Sequence, residues 1–156
     1  MKNILIAVAV LFLVAGCASS TKVAQPLVQT QAVHRTYAGI DVVNRGTAAP
    51  EHFIAAVSAY LKEELRQTGS YSETQGDLIE ITLTDYRMRS GFNRAMFGVL
   101  AGKDGVDSTV VVKNPNTGDV IGRSTVSSYN ALAVGDMEDI ARMHAEEIAK
   151  YLNGGT

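Results

Sequence analysis

Leu78–Met88, with the sequence LIEITLTDYRM, alternates apolar and polar side chains from one residue to the next. The apolar positions are Ile79, Ile81 and Leu83, and the polar ones are Glu80, Thr82 and Thr84. Successive side chains of a strand point to opposite faces, so this pattern predicts a strand with one buried and one wet face. Such a strand requires a sheet that is covered on one side.

Further strands are predicted on both sides of this stretch. Val106–Lys113 and Asp119–Tyr129 are rich in β-branched residues, and Asn114–Gly118 (NPNTG) between them is typical of a hairpin turn. Upstream, Tyr37–Val43 (YAGIDVV) predicts a short strand that ends in the turn residues Asn44–Ala49. The sequence therefore predicts four strands.

Two amphipathic helices separate or follow these strands. The first is predicted to begin with Pro50 as its first helical residue and to stop at Gly69. The second is predicted over Gly135–Leu152, where Asp136 can cap the first turn and Asp139 stands three residues later. The apolar stripes contain Ile54, Val57, Leu61 and Leu65 in the first helix, and Met137, Ile140, Ala141, Ile148, Tyr151 and Leu152 in the second.

The predicted order is β-α-β-β-β-α. Each helix has one apolar stripe, so we expect both helices on one face of a mainly antiparallel sheet. The fold class is α+β, and residues 35–153 form the predicted single domain.

The N-terminus has the features of a secretion signal. Lys2 is followed by the uninterrupted apolar run Ile4–Val14, which is too short to cross a hydrocarbon core of ~30 Å as a helix. The next residues, Val14-Ala15-Gly16-Cys17, resemble the lipobox of bacterial lipoproteins. This resemblance implies a signal peptide over residues 1–16, cleavage between Gly16 and Cys17, and fatty acylation of Cys17 (diacylglycerol on sulfur and an acyl chain, such as palmitate, on the new amine).

Cys17 is the only cysteine in the chain, so no disulfide can form within one protomer; a free reactive thiol is the alternative to lipidation. Ala18 rather than Asp follows Cys17, which by resemblance to Gram-negative sorting favours the outer membrane, with the body in the periplasm. Residues 17–34 are predicted to be a lipidated cysteine and a flexible tether, because Ala18–His34 is small, polar and rich in Gln.

Composition excludes a nucleic-acid partner. The chain has 14 basic and 16 acidic side chains, and loss of Lys2 with the signal peptide increases the acidic excess. No second long apolar run is present, so the membrane is predicted to be contacted through the lipid on Cys17. An envelope protein is the other expected partner; the sequence does not predict an oligomeric state.

Catalytic and metal-binding signatures are weak. His34, His52 and His144 lack ligand spacing with each other or with Cys17, so we expect no metal and no cofactor. No G-x-S-x-G motif occurs. Gly98–Asp104 imitates a phosphate loop, but it has three residues between its glycines instead of four and an acid after the lysine. The prediction is therefore a protein that is not an enzyme.

One histidine keeps an enzymatic alternative open. His144 lies on the apolar stripe of the second helix, so the expected role is a histidine at the edge of the core. As a general base it would act with Asp136 or Glu147, and Asp85 beside the arginines is a further acidic candidate.

Arg87–Gly105 (RMRSGFNRAMFGVLAGKDG) is much longer than a hairpin turn, and long connections are often functional. One interpretation is an exposed contact surface with Phe92, Arg94, Met96 and Phe97; the other is that these apolar residues fill the core. Arg87 and Arg89 are candidates for contact with an anion such as a phosphate, a lipid headgroup or a carboxylate. The alternative is that they pair with acids such as Asp85 and Glu80 or are simply solvated.

Residues 37–152 resemble a family of small bacterial lipoproteins catalogued as a domain of unknown function. The resemblance rests on a strand, a Gly…Arg…Gly…Gly connection and a hairpin turn with Thr-Gly; here these are Thr82–Arg87, Gly91/Arg94/Gly98/Gly102, Val110–Val112 and Thr117-Gly118. It implies no catalytic residue. More loosely, the element order is similar to that of α/β domains in envelope assembly and secretion lipoproteins.

The predicted function is therefore that of an outer-membrane lipoprotein facing the periplasm that acts by binding, as an assembly accessory factor. The alternative is an envelope enzyme acting on peptidoglycan, a lipid or a small anion. A third hypothesis is insertion of Gly91–Gly105 into the membrane within a ring-shaped oligomer.

Overall fold

The computed structural model describes residues 17–27, 35–89, 103–130 and 136–155. In chain order the elements are β1 (Cys17–Gln25), β2 (Tyr37–Asn44), α1 (Glu51–Gln67), β3 (Asp77–Arg87), β4 (Asp104–Lys113), β5 (Val120–Asn130) and α2 (Met137–Leu152). The five strands form one sheet in the order β1-β5-β4-β3-β2.

The predicted fold class is confirmed: two helices and a mostly antiparallel sheet form one domain, and from β2 onward the order is β-α-β-β-β-α. Among the five described strands, only β2 and β3 pair in parallel, and α1 connects them. The other neighbouring strands, including the predicted hairpin of β4 and β5, are antiparallel. Parallel neighbours need a crossover connection, which α1 provides.

The prediction of a tether over residues 17–34 is wrong for its first half, because Cys17–Gln25 is a strand paired with β5. Its alternation is hidden in the sequence, since the inward positions Ser19 and Thr21 are polar, although the inward Val23 is apolar. Ser19 donates to Ser128 Oγ at 2.9 Å, and Thr21 donates to Glu147 Oε1 at 2.9 Å. Hydrogen bonds therefore hold this strand where apolar burial usually would; residues 28–34 lie outside the described part of the chain.

The core lies between the helices and one face of the sheet. Four elements contribute most of its residues. These are Phe53, Val57, Leu61 and Leu65 in α1, Ile79, Ile81 and Leu83 in β3, Val106, Val110 and Val112 in β4, and Ile140, Ala141, Ala145 and Ile148 in α2. A register shift between Leu83 and Asp85 changes which residues face inward. Tyr86 consequently points to the core, where its ring meets Phe53 edge-on at 4.9 Å.

The ends of the elements follow local chemistry. Pro50 is the residue before α1 rather than its first helical residue as predicted, and Gly69, with φ of 69°, follows its end. The capping box predicted for α2 is present: the Asp136 side chain accepts from Asp139 N, and the Asp139 side chain accepts from Asp136 N. Gly118, with φ of 75°, completes the predicted turn.

Candidate functional site

The predicted lipidation residue lies at one end of the sheet. Cys17 is the first residue of β1 and pairs with Asn130, the last residue of β5, which in turn pairs with Asp104, the first residue of β4. Arg87, the last residue of β3, pairs with Gly105. We call this end, defined by Cys17, Arg87, Asp104 and Asn130, the anchor end.

A buried ion pair closes the anchor end. Arg89 Nε and Nη2 donate to the two oxygens of Asp104 at 3.1 and 3.2 Å, and Arg89 N donates to Oδ1 at 2.7 Å. The side chains are only 8% and 2% exposed. A guanidinium fork matched to a carboxylate is the geometry in which a buried pair can offset its loss of hydration.

Arg87 lies on the opposite face of the sheet. Its Nε is 2.9 Å from Asp85, its Nη2 is 3.5 Å from Asp107, and half of its side chain is exposed. At the same end Lys103 Nζ stands 3.7 Å from the centre of the Tyr129 ring. The interpretation in which the arginines pair with acids thus describes both Arg87 and Arg89, although Glu80 pairs with Lys113 instead, at 2.6 Å.

His144 lies in the core rather than at its edge as expected, with an exposed fraction of 0%. Its Nε2 is 2.8 Å from Ser108 Oγ on β4, and its Nδ1 is 3.0 Å from Ser128 Oγ on β5. Ser128 Oγ also accepts from Ser19, which extends the chain of bonds to β1. Each ring nitrogen of His144 therefore has a hydroxyl partner that can donate or accept, so either neutral tautomer is satisfied.

Burial lowers the pKa of His144 to about 4, and the nearby carboxylates of Asp107 and Glu147 offset only part of this effect. The imidazole is therefore neutral at pH 7. The acids considered as its catalytic partners have other contacts: Asp136 caps α2, and Glu147 accepts from Thr21 and Lys150. The arrangement links α2 to three strands through a closed polar network.

The three serines of this network, Ser19, Ser108 and Ser128, were not singled out in the sequence. Their only signal is that each occupies an inward position of a strand, where an apolar residue is usual. Ser124 occupies such a position too, and among the described residues its Oγ is the buried side-chain polar atom without a hydrogen-bond partner.

Phe92, Arg94, Met96 and Phe97, the predicted contact surface, lie outside the described residues. Within the described ranges, no group of three or more His, Cys, Asp or Glu residues could hold a metal ion. Neither of the described helices is long and apolar enough to cross a membrane.

Neither of the two helices in the described part of the chain covers the second face of the sheet, which we call the open face. Its central row consists of Thr82, Thr109 and Thr125 on β3, β4 and β5, in direct register. Charged side chains surround this row: Lys22, Asp41, Glu80, Lys113 and Arg123. Leu78, 43% exposed, lies at one corner.

No protein-family model matches the chain, and no curated protein matches it. Solved structures do match the fold of this chain. PelC from Paraburkholderia phytofirmans, a dodecamer, has a TM-score of 0.63 at 10% identity over 89% of this chain and 99% of that one.

A point variant of the same dodecamer has a TM-score of 0.59 at 12% identity, over 89% of this chain and 98% of that one. A suspected lipoprotein from Caulobacter crescentus has a TM-score of 0.40 at 12% identity over 73% and 87% of the two chains. The likeness to PelC shows a shared fold.

Proposed function

We propose that this protein is a non-enzymatic accessory lipoprotein of the bacterial envelope that self-associates. It is anchored in the outer membrane by lipid on Cys17, with its domain in the periplasm, and it acts by binding. The observation that carries the proposal is the match to the PelC dodecamer, which extends over 89% of this chain and nearly all of that one. A subunit fold shared over its whole length supports a shared mode of assembly.

The position of Cys17 supports a specific orientation. Because β1 begins at Cys17 itself, a lipid there has no spacer between it and the sheet. The anchor end would then meet the membrane surface, and the long axis of the strands would rise from it. Two acyl chains hold a protein durably in a bilayer, so the domain would be both attached and oriented.

The contacts of the candidate catalytic groups support a binding role. Both ring nitrogens of His144 are within 3.0 Å of serine hydroxyls, and the ring is shielded from solvent. Asp85 lies beside Arg87, and Asp136 caps a helix. A general base must reach the proton that it removes, and both nitrogens of His144 already contact serine hydroxyls in the core.

Two measurements on the full chain test the proposal. Membrane fractionation should find the wild type and Ala18→Ser, which keeps the cysteine, in the outer membrane, and should find Cys17→Ser released or retained only in the inner membrane with its signal peptide uncleaved. Light scattering of the detergent-solubilised protein should give a mass of several protomers. Cys17→Ser that stays in the outer membrane as tightly as the wild type would overturn the anchor, and a monomer at every soluble concentration would overturn self-association.

A further inference from the structure

We propose that copies of this chain associate through the two edges of the sheet: the outer edge of β1 in one copy pairs with the outer edge of β2 in the next, and Lys22 lies opposite Asp41. This inference rests on the proposed self-association and names its surfaces. A second copy is the partner because one edge of the chain is complementary to the other.

Both edges are open within the described residues. β1 and β2 are the terminal strands of the sheet, so each has a strand neighbour on one side only. At the start of β2, Tyr37 exchanges backbone hydrogen bonds with Ser70 and Ser72, which leaves residues 38–44 for pairing. Unpaired N–H and C=O groups on an edge strand are a template for another strand.

Strand directions fit this pairing. β2, β3 and β5 run in one direction, and β4 and β1 run in the opposite direction. In two copies displaced within the plane of the sheet, β1 of one is therefore antiparallel to β2 of the other. The strands also match in length, with nine and eight residues.

The two edges carry complementary charges. Lys22 and Asp41 are both exposed, both lie on the open face, and neither has an ion-pair partner in the described part of the chain. Directly opposite residues of an antiparallel pair lie on the same face, so these two side chains can meet across the junction. Opposite charges at such a position favour the correct neighbour and register.

The same register also brings matching residues together on the covered face, which is the face of the sheet that packs against the helices. With Lys22 opposite Asp41, Val23 lies opposite Ile40 and Thr21 lies opposite Val42. Val23, Ile40 and Val42 are partly buried apolar residues at the margin of the core, so the junction would extend the core from one copy into the next. A shift by one residue would place charge against the core and apolar residues in water, and is therefore disfavoured.

The two edges differ, so their contact is head-to-tail. Contacts of this kind close into rings or grow into filaments, depending on the rotation at each step. The junction adds backbone hydrogen bonds without any rearrangement of the domain. It also leaves the central threonine row of the open face uncovered.

Charge reversal tests the junction. In detergent-solubilised full-length protein, Lys22→Glu and Asp41→Lys should each weaken self-association about tenfold or more, because like charges then face each other. The double variant Lys22→Glu/Asp41→Lys should restore it. Matched controls are Arg123→Glu, on the same face of an interior strand, and Glu146→Lys, exposed on α2; both should keep the wild-type mass.

A disulfide locates the contact. Cysteines introduced together by Lys22→Cys and Asp41→Cys should join copies into a ladder on oxidation, since directly opposite residues satisfy disulfide geometry. Thr125→Cys with Asp41→Cys is the control and should give no ladder. An oligomer that is insensitive to both reversals and forms no ladder would overturn the edge junction while self-association stands; a monomeric wild type would overturn both.

Discussion

The two faces of the sheet use polar residues in opposite ways, although the same strands form both. On the covered face, Ser108, Ser128 and Asp104 are at most 2% exposed, and each is bonded to a named partner. On the open face, Glu80 and Lys113 form a pair in which both side chains are about a third exposed. These three groups of the covered face are buried in fixed contacts, whereas the charged pair of the open face is partly exposed to solvent.

This difference separates stability from recognition. A buried polar group is costly without its partner, because water cannot replace the lost contact. An exposed pair is screened by water and salt and contributes little to folding. The covered face should therefore be intolerant of polar substitutions, while the open face and its edges can carry charges selected for binding.

The largest effect should come from the buried ion pair. Arg89→Ala leaves the Asp104 carboxylate buried without the guanidinium, so the free energy of unfolding should fall by about 3–5 kcal/mol. Chemical denaturation measures this loss. Arg87→Ala, at the same end but on the open face, is the matched control and should cost at most about 1 kcal/mol. Equal losses would show that the two faces do not differ in this respect.

His144 should make the covered face sensitive to acid. Its pKa falls from 6.5 to about 4 on folding, so between these pH values the unfolded chain binds a proton that the folded chain does not. The stability contribution of the neutral imidazole is complete above pH 6.5 and is lost as the pH falls toward 4, by up to roughly 3 kcal/mol.

His144→Gln tests this assignment because glutamine cannot take up the proton. Denaturation at a series of pH values should show a shallower dependence between pH 6.5 and 4 in this variant. His52→Gln, at an exposed position of α1, should keep the wild-type dependence. An unchanged slope in His144→Gln would remove His144 as its cause.

The sequence predicts most of the fold because most elements bury apolar side chains at regular intervals. Ile79, Ile81 and Leu83 show a period of two, and Val57, Leu61 and Leu65 show a helical period; the structure places all six in the core. β1 is not predicted because two of its inward residues, Ser19 and Thr21, are polar, so the inward Val23 is not part of an apolar alternation. Their partners lie more than 100 residues away, and local periodicity does not show such contacts.

The candidate site is harder to predict for the same reason. The apolar stripe of α2 includes His144, but nothing in the sequence shows that Ser108 and Ser128 would meet its two nitrogens. Arg89 and Asp104 are 15 residues apart and meet only because β3 and β4 are neighbours. Residue type indicates which groups need a partner; the register of the strands decides which partner each one meets.

Two serines on the covered face separate the effect of a partner from the effect of burial. Ser108 and Ser124 have the same exposure of 0%, but Ser108 bonds to His144, while Ser124 Oγ has no partner among the described residues. Ser108→Ala should cost about 1–3 kcal/mol because it leaves Nε2 unpaired. Ser124→Ala should be neutral or stabilise by up to about 1 kcal/mol, since it removes an unpaired hydroxyl. Thermal unfolding compares them, and equal losses would contradict a role for the partner.

The smallest effect on folding should come from the pair of Lys113 and Glu80 on the open face. Its hydrogen bond and charge lower the pKa of Glu80, yet both side chains contact water, so Lys113→Ala should reduce the free energy of unfolding by less than about 1 kcal/mol. High salt should shrink even this difference, because screening weakens an exposed pair but leaves the buried pair of Arg89 and Asp104 nearly intact. Denaturation of Lys113→Ala and Arg89→Ala at low and high salt measures both effects in one experiment. If the loss in Lys113→Ala were several kcal/mol and independent of salt, the open face would also stabilise the fold, and its charges could not be assigned to recognition alone.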